Sequence, residues 1–512
     1  MDDAVLPAKR IGQLRSVQIG RHGHPLHLLR DPFGSARTRH HKAGNAPLRE
    51  FVNQSSRDES GATCNNRAQL HFSNDTCQRE ASLLSTAKMR IALISQYFYP
   101  EQFSNNGIAL ELTDRGHEIH VFPCVPNYPA GRFFPGYSNT QMRSEIWNGI
   151  RISRAFTVPR GKSPISLLAN YLCYPIAVSW TICRRMKEKA DVSFVSMPSP
   201  IFQAMAGIIL RWRTNTPCVY WVQDIWPESA TYTLGIRNRV AVRILDHLCG
   251  WLYRQADLVM VQNSAFYPMI SRFGVPADRI RVLPNTAPAG YAPVNKSDAY
   301  QYASLISQTG FRLMFAGNIG ESQDFDTLVA AADVLRDRAD LHWVVVGSGR
   351  DEERVKTKID SMNLQDRFVF LGRYPEKEMP SIFAHADAML ISLKDIPIFS
   401  LTVPYKTQCY MACGKPIIAV LNGEGARIIE ESGSGIVASA GDARGLASAI
   451  ETMMDSTPAE MDRYQANSLN YFEVNFSAKE VFDGLELALK HAISPPAGID
   501  VVDNHIPADK DF

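Results

Sequence analysis

Val403-Pro-Tyr-Lys-Thr-Gln-Cys-Tyr-Met-Ala-Cys-Gly-Lys-Pro-Ile-Ile-Ala419, followed by Asn422-Gly-Glu-Gly-Ala-Arg427, is the most informative stretch of this 512-residue chain. It sets a lysine, Lys406, at the mouth of a short helix, then a Gly-Lys-Pro turn and a buried strand. A second glycine-rich turn carrying Glu424 follows. A cation, a glutamate and backbone N–H groups at strand and helix ends suit a doubly charged diphosphate beside a sugar. An ordinary helix-to-strand turn with an exposed lysine would look the same in isolation, so the surrounding chain has to decide.

Around this stretch, short apolar strands alternate with helices, the pattern of a parallel, doubly wound α/β sheet. Ile91–Ser95 reads as strand, Ile108–Arg115 as helix, Gly116-His-Glu118 as turn and Ile119–Pro123 as the next strand. Asp191–Val195, Cys218–Gln223, Leu258–Gln262 and Ile280–Pro284 continue the series. A second series runs through Phe311–Ala316, Leu341–Val346, Phe368–Leu371, Ala388–Ser392, Pro416–Val420 and Gly435–Val437. Helices such as Asp326–Arg336 and Asp351–Asn363 lie between these strands. A segment rich in Pro, Ala, Asn and Ser at 284–308 joins the two series. The expected architecture is two Rossmann-like domains, 89–290 and 291–475, facing across a cleft. A last helix at 476–493 and a Pro- and Asp-rich flexible tail at 494–512 complete the chain.

The length calls for more than one core. With 45% apolar and 21% charged residues the chain is globular in composition, and a net charge of +2 gives no global pull toward nucleic acid. Nine scattered cysteines show no zinc-like pairing; Cys409 and Cys413, four apart on a helix, read as small core residues. This usage fits reduced thiols in a cytoplasm. Residues 1–88 differ from the rest: they hold six of the thirteen histidines and show no sustained period. They read as a disordered or spurious extension ahead of Met89. A transit peptide is the rival reading, weakened by Asp2, Asp3, Asp58 and Glu59.

Pro164 to Cys183 is nearly uncharged and ends in Arg184-Arg-Met-Lys-Glu-Lys189. Its length approaches a membrane span, but a span there would sever the parallel sheet. A helix packed on the first domain, with an apolar, basic-edged face toward a bilayer, is the expected arrangement. Burial of the whole helix in the core is the alternative.

Several further motifs fall at strand ends. The first domain gives Ser95-Gln-Tyr-Phe-Tyr-Pro-Glu-Gln-Phe-Ser-Asn-Asn-Gly107, Arg115-Gly-His-Glu118 and Pro126-Asn-Tyr-Pro-Ala-Gly131. Met197-Pro-Ser-Pro-Ile-Phe202, Val222-Gln-Asp-Ile-Trp-Pro-Glu-Ser229 and Val282-Leu-Pro-Asn285 follow. The second domain adds Phe315-Ala-Gly-Asn-Ile-Gly320, Val346-Gly-Ser-Gly349 and Phe370-Leu-Gly-Arg373. In this order and spacing the set resembles retaining GT-B glycosyltransferases of family 4. The similarity is to the branch that builds O-antigens, capsules and exopolysaccharides, which includes N-acetylfucosamine transferases. It runs over about 89–490.

The resemblance implies an acceptor domain at 89–290, a donor domain at 291–475 and a C-terminal helix bracing the first domain. Asp224, Lys406 and Glu424 would be the catalytic residues. Asn105, Asn106, Gly107, Gly317, Asn318, Gly320, Gly347, Arg373, Gly423 and Gly425 would bind the donor, and Asn127, Tyr128 and Glu228 would serve the acceptor. The position matches physics: ligands of open α/β sheets meet the carboxyl ends of the strands, where glycines admit a phosphate. The chain also departs from the family. Gln223 stands where many members have His, Asn318 and Gln323 where they have Arg and Lys, and Leu401 and Cys409 replace a glutamate pair.

What the resemblance implies is transfer of a sugar, an N-acetylated amino sugar in this branch, from a UDP-sugar to a polyprenyl-linked or saccharide acceptor. Anomeric configuration is retained. No cofactor and no metal is expected, since Asp387 and Asp395 stand alone. No nucleic-acid partner is expected, and the expected location is cytoplasmic, peripheral on the inner face of the plasma membrane. Two other readings stay open, a non-hydrolysing UDP-sugar 2-epimerase and a sugar-nucleotide-binding protein without turnover.

Overall fold

The computed structural model describes residues 88–494 apart from 142, 162, 163, 198, 237 and 308. The expectations for the extension before Met89 and for the tail after 494 fall outside the described residues. Between them lie two sheets with fourteen strands.

The first sheet contains β1 (Arg90–Ile94), β2 (Glu118–Phe122), β3 (Ser144–Trp147), β4 (Ile150–Ser153), β5 (Val192–Met197), β6 (Cys218–Val222), β7 (Leu258–Val261) and β8 (Ile280–Val282). Their spatial order is β3-β4-β2-β1-β5-β6-β7-β8, parallel throughout except that β3 runs antiparallel to β4. The second sheet contains β9 (Phe311–Ala316), β10 (Leu341–Val346), β11 (Phe368–Gly372), β12 (Ala388–Ser392), β13 (Ile417–Val420) and β14 (Gly435–Ala438). Its order is β11-β10-β9-β12-β13-β14, all parallel. In each sheet the chain reverses its winding direction beside the first strand, between β1 and β5 and between β9 and β12. Ligands collect at such switch points.

Alternate residues of each strand feed opposite cores, as the period of two requires. In the first domain Ile94, Val195 and Tyr220 pack under the helices Pro164–Arg185, Ala204–Thr214 and Arg239–Arg254. Leu93, Phe194 and Trp221 pack on the opposite face, against the helix Ser104–Asp114 and against Val481, Phe482, Leu485 and Leu489 of the last helix, Ala478–Ile493. Arg115 reinforces that contact through Asp483 at 2.6 Å and Glu486 at 3.3 Å. The last helix therefore leaves the second domain and covers one face of the first sheet.

Three local readings need correction. The hairpin β3–β4 was not foreseen, although Asn148-Gly149 between two short apolar runs is a two-residue turn signal. Both residues take positive φ, 48° and 81°. The first helix begins at Ser104 rather than Ile108, so Asn105, Asn106 and Gly107 lie in its opening turn and not in a loop ahead of it. The helices expected at 326–336 and 351–363 are shorter, Phe325–Val334 and Glu352–Ser361. As for a membrane span at 164–183, no described helix is long and apolar enough to cross a bilayer.

Candidate active site

A cleft of about 1040 Å³ opens between the domains at the carboxyl ends of both sheets. From the first domain Gln102, Asp224 and Tyr232 reach it; from the second come Gly317, Asn318, Gly347, Arg373 and Lys406. An aromatic wall including Tyr291, Tyr374, Phe383 and Tyr405 closes one end.

The donor-side floor is made where β9 and β10 end. Gly317 and Gly347 have φ of 143° and 133°, conformations that side chains avoid. A Cβ on Gly347 would overlap the carbonyl oxygen of Gly317, so the two turns touch backbone to backbone. Their N–H groups are committed: Gly317 donates to Val346 O at 2.9 Å and Gly347 to Gly372 O at 2.7 Å. What these glycines supply is therefore close approach of the backbone and not their own N–H groups. Among the described residues the N–H groups of Asn318 and Gly320 meet no protein acceptor. The next helix does not start directly after Gly320, because a 3-10 turn (Glu321–Gln323) and left-handed Asp324 intervene.

Lys406 rises from the first turn of the helix Tyr405–Ala412. Its ammonium donates to Gln323 Oε1 at 2.7 Å and lies 3.9 Å from the centre of the Phe315 ring. It also sits 3.3 Å from where a Cβ on Gly317 would be. Among the described residues no carboxylate is within ion-pair distance of it. Burial without a counterion drops its pKa to about 7. A cation held over a glycine turn by a neutral amide is a site that an anion would complete. Gln323, passed over in the sequence as a mere departure, is the residue that aims it.

Asp224 faces this group from the loop after β6. The residue is exposed to the cleft, yet the protein around its carboxylate strips enough solvation to raise its pKa to about 7. Arg373 also lines the cleft, with its guanidinium hydrogen-bonded to Ser348 Oγ.

The remaining expected site residues lie elsewhere. Glu424 is 8% exposed and both its oxygens are taken: Ser264 Oγ donates to Oε1 at 3.0 Å, and Arg427 binds Oε1 at 2.8 Å and Oε2 at 3.0 Å. Burial pulls its pKa up, but Arg427 and Ser264 outweigh that and hold it below the usual range. Placed so, it ties the second domain to the loop after β7 and does not line the cleft. Gly423 and Gly425 pack that turn against Ser400 and Pro404, supporting the start of the Lys406 helix. Asn105 is consumed by Ser95 and Ser196, both at 2.6 Å. Asn106 accepts from Tyr99 N at 3.0 Å and donates to Glu101 O at 2.7 Å. Gly107 lies on the exposed side of its helix. All three belong to the opening turn of the helix after β1; Asn105 and Asn106 spend their amides on the loop ahead of that helix and on β5, which a strand-end position alone does not reveal. Glu228 begins the helix Glu228–Leu234 and pairs with Arg272 at 2.6 Å. Asn127 is fully buried, and Tyr128 joins a ring cluster with Tyr97 and Phe103.

Comparison with known proteins agrees with this geometry. Residues 105–286 match the model of the "Glycosyl transferase 4-like domain", and 310–456 match "Glycosyl transferases group 1". The probable glycosyltransferase WbjE of Pseudomonas aeruginosa is 27% identical over 257 residues, 48% of this chain and 62% of WbjE, so the match spans under two thirds of that relative. The putative colanic acid biosynthesis glycosyl transferase WcaI of Escherichia coli is 22% identical over 292 residues, 55% of this chain and 70% of WcaI. HepE from Anabaena, solved with UDP and glucose, superposes with a TM-score of 0.58 at 18% identity, covering 78% of this chain and 99% of HepE. With two glycosyltransferase domain models matched in tandem and two Rossmann-like sheets facing across one cleft, the chain has the GT-B architecture, a 4-like domain followed by a group 1 domain.

Proposed function

We propose that the protein transfers an N-acetylated amino sugar from a UDP-sugar to a lipid-linked or saccharide acceptor, with retention, in cell-surface polysaccharide synthesis. The observation that carries this is the Lys406 ammonium, aimed over Gly317 in the interdomain cleft without a counterion. The donor diphosphate would lie against Lys406 and the N–H groups of Asn318 and Gly320. The aromatic wall offers a face to the base. As the bond from the anomeric carbon to the phosphate oxygen breaks, charge grows on the diphosphate, and a fixed cation in a cleft stabilises it. The acceptor oxygen attacks from the same face and its proton passes to the departing phosphate oxygen, so no separate protein base is required. Asp224 stands across the cleft and positions the acceptor. The amino-sugar choice rests on the resemblance of the motif set, and the polysaccharide setting also on WcaI.

The membrane part of the reading rests on the helix Pro164–Arg185. Leu168, Leu172, Ile176 and Trp180 follow each other at four-residue intervals and are 53%, 46%, 74% and 55% exposed. The four make one outward stripe. Arg184 lies over the Trp180 ring at 5.4 Å, and Arg185, Lys187 and Lys189 follow. On the same face of the sheet the helix Arg239–Arg254 exposes Val240, Ile244 and Leu248 at the same spacing, beside Arg239 and Arg243. Apolar stripes edged with arginines fit the interface of an anionic bilayer.

The deciding experiment incubates purified protein with labelled UDP-sugars and a polyprenyl diphosphate-linked saccharide. Labelled glycolipid is the expected product. An epimerised donor, or tight binding with no product, refutes the transferase reading.

A further inference from the structure

We infer that Arg160 binds the diphosphate of a lipid-linked acceptor. This rests on the acceptor half of the proposed function and adds to it a residue that none of the motifs contained.

Arg160 is placed with care. Its backbone N–H donates to Asn127 Oδ1 at 2.8 Å, and the same buried amide donates to Val125 O at 2.9 Å, so the loop after β2 fixes the loop that carries Arg160. Its guanidinium lies 5.4 Å from the centre of the Tyr128 ring and 6.0 Å from that of Tyr171. Ring faces hold a cation in place without consuming its N–H edge. Among the described residues no carboxylate pairs with this guanidinium and no acceptor takes its side-chain N–H groups. By contrast Arg154, a few residues away, is fully buried and bound to Glu145 and to Tyr99 O. An arginine held by rings, with its planar fork free, is suited to bidentate contact with a phosphate.

Location supplies the second half of the argument. Tyr171 sits in the second turn of the helix with the exposed apolar stripe, so Arg160 stands beside the start of that face. Burial raises the pKa of the Tyr171 hydroxyl, Arg160 opposes that rise and Asp224 adds to it, so both charges lie within electrostatic reach of this ring. Arg160 thus stands between the surface proposed for the bilayer and the cleft that holds Lys406. Next to it the half-buried rings of Tyr128 and Phe103, 5.3 Å apart, pack over the buried Tyr97 and leave partly exposed aromatic surface that a sugar ring could meet. An acceptor whose lipid lies in the membrane and whose first sugar enters the cleft would carry its diphosphate past Arg160.

The test uses Arg160→Gln and Arg160→Lys in the full chain, with two acceptors bearing the same saccharide, one on farnesyl diphosphate and one on a neutral octyl group. Binding of farnesyl diphosphate is measured in parallel by calorimetry, with UDP saturating the donor side. Arg160→Gln should lose about 10- to 100-fold in both farnesyl diphosphate affinity and kcat/KM for the diphosphate acceptor, as expected for one charged bidentate partner. The octyl acceptor and the donor KM should change by much less, and Arg160→Lys should fall between. Equal losses on both acceptors, or unchanged farnesyl diphosphate binding with an unchanged melting temperature, would overturn the inference. If the unaltered protein transfers sugar to neither acceptor but Arg160→Gln still loses farnesyl diphosphate, the transferase reading fails and the Arg160 site stands.

Discussion

Replacing Lys406 by methionine tests the donor site most directly. The substitution keeps the stem that packs on Phe315 and removes only the ammonium. Two unit charges about 4 Å apart interact by about 4 kcal/mol at an effective dielectric of about 20. Loss of a single preorganised donor to a developing anion costs about 10²- to 10³-fold in rate in other enzymes. A fall in kcat of that size is expected here, with folding intact because no ion pair is broken. The free protein also makes a sharper prediction. With a pKa of about 7, Lys406 is mostly uncharged at pH 8 and mostly charged at pH 6. A diphosphate returns the missing counter-charge and raises that pKa, so donor binding should take up a proton at pH 8 and none through this group at pH 6. Calorimetry in buffers of different ionisation enthalpy reads the uptake, and subtracting the Lys406→Met result removes any share from Asp224. Proton uptake at pH 8 as large in Lys406→Met as in the unaltered protein, or an unchanged kcat, would refute the reasoning.

Other outcomes follow from the same geometry. Gly347→Ala forces a Cβ onto the Gly317 carbonyl and should abolish UDP binding by separating the two turns, read by thermal shift with and without UDP. Leu485→Ala, at a fully buried position of the last helix, should cost about 2–5 kcal/mol in urea unfolding; a loss under ~1 kcal/mol would mean that the helix is dispensable. Ile176→Glu with Trp180→Glu should cut sedimentation with anionic vesicles but leave UDP binding alone, and vesicle binding that persists would remove that stripe from the membrane face.

Much of this fold could be read from residue order. Strands β9, β10 and β12 agree to the residue with the sequence reading, because each is a short, mostly apolar run, and glycine follows directly after β9 and β10. The hairpin β3–β4 escaped because four-residue strands such as Ile150-Arg-Ile-Ser153 carry little periodic signal, even with Asn148-Gly149 between them. Of the three residues expected to be catalytic, Lys406 at the mouth of its helix and Asp224 after its strand line the cleft. Glu424 turns away from the cleft because Arg427, one helical turn on, and Ser264, 160 residues away, take both its oxygens. Asn105 and Asn106 were misjudged for the same reason, since being at a strand end does not say which way a side chain turns. Arg160 and Gln323 belong to no pattern; only their neighbours in space give them meaning.

The last helix has a mechanical consequence. Because Ala478–Ile493 returns to cover the first sheet, the chain passes between the domains twice, once after β8 and once ahead of Ala478. A body joined at one point can swing and twist in any direction; one joined at two behaves like a door on a pair of hinges. Any movement that brings Lys406 and Asp224 closer must turn about the line through those two crossings. Shortening either strap should therefore change how far the door can open without altering either of its panels.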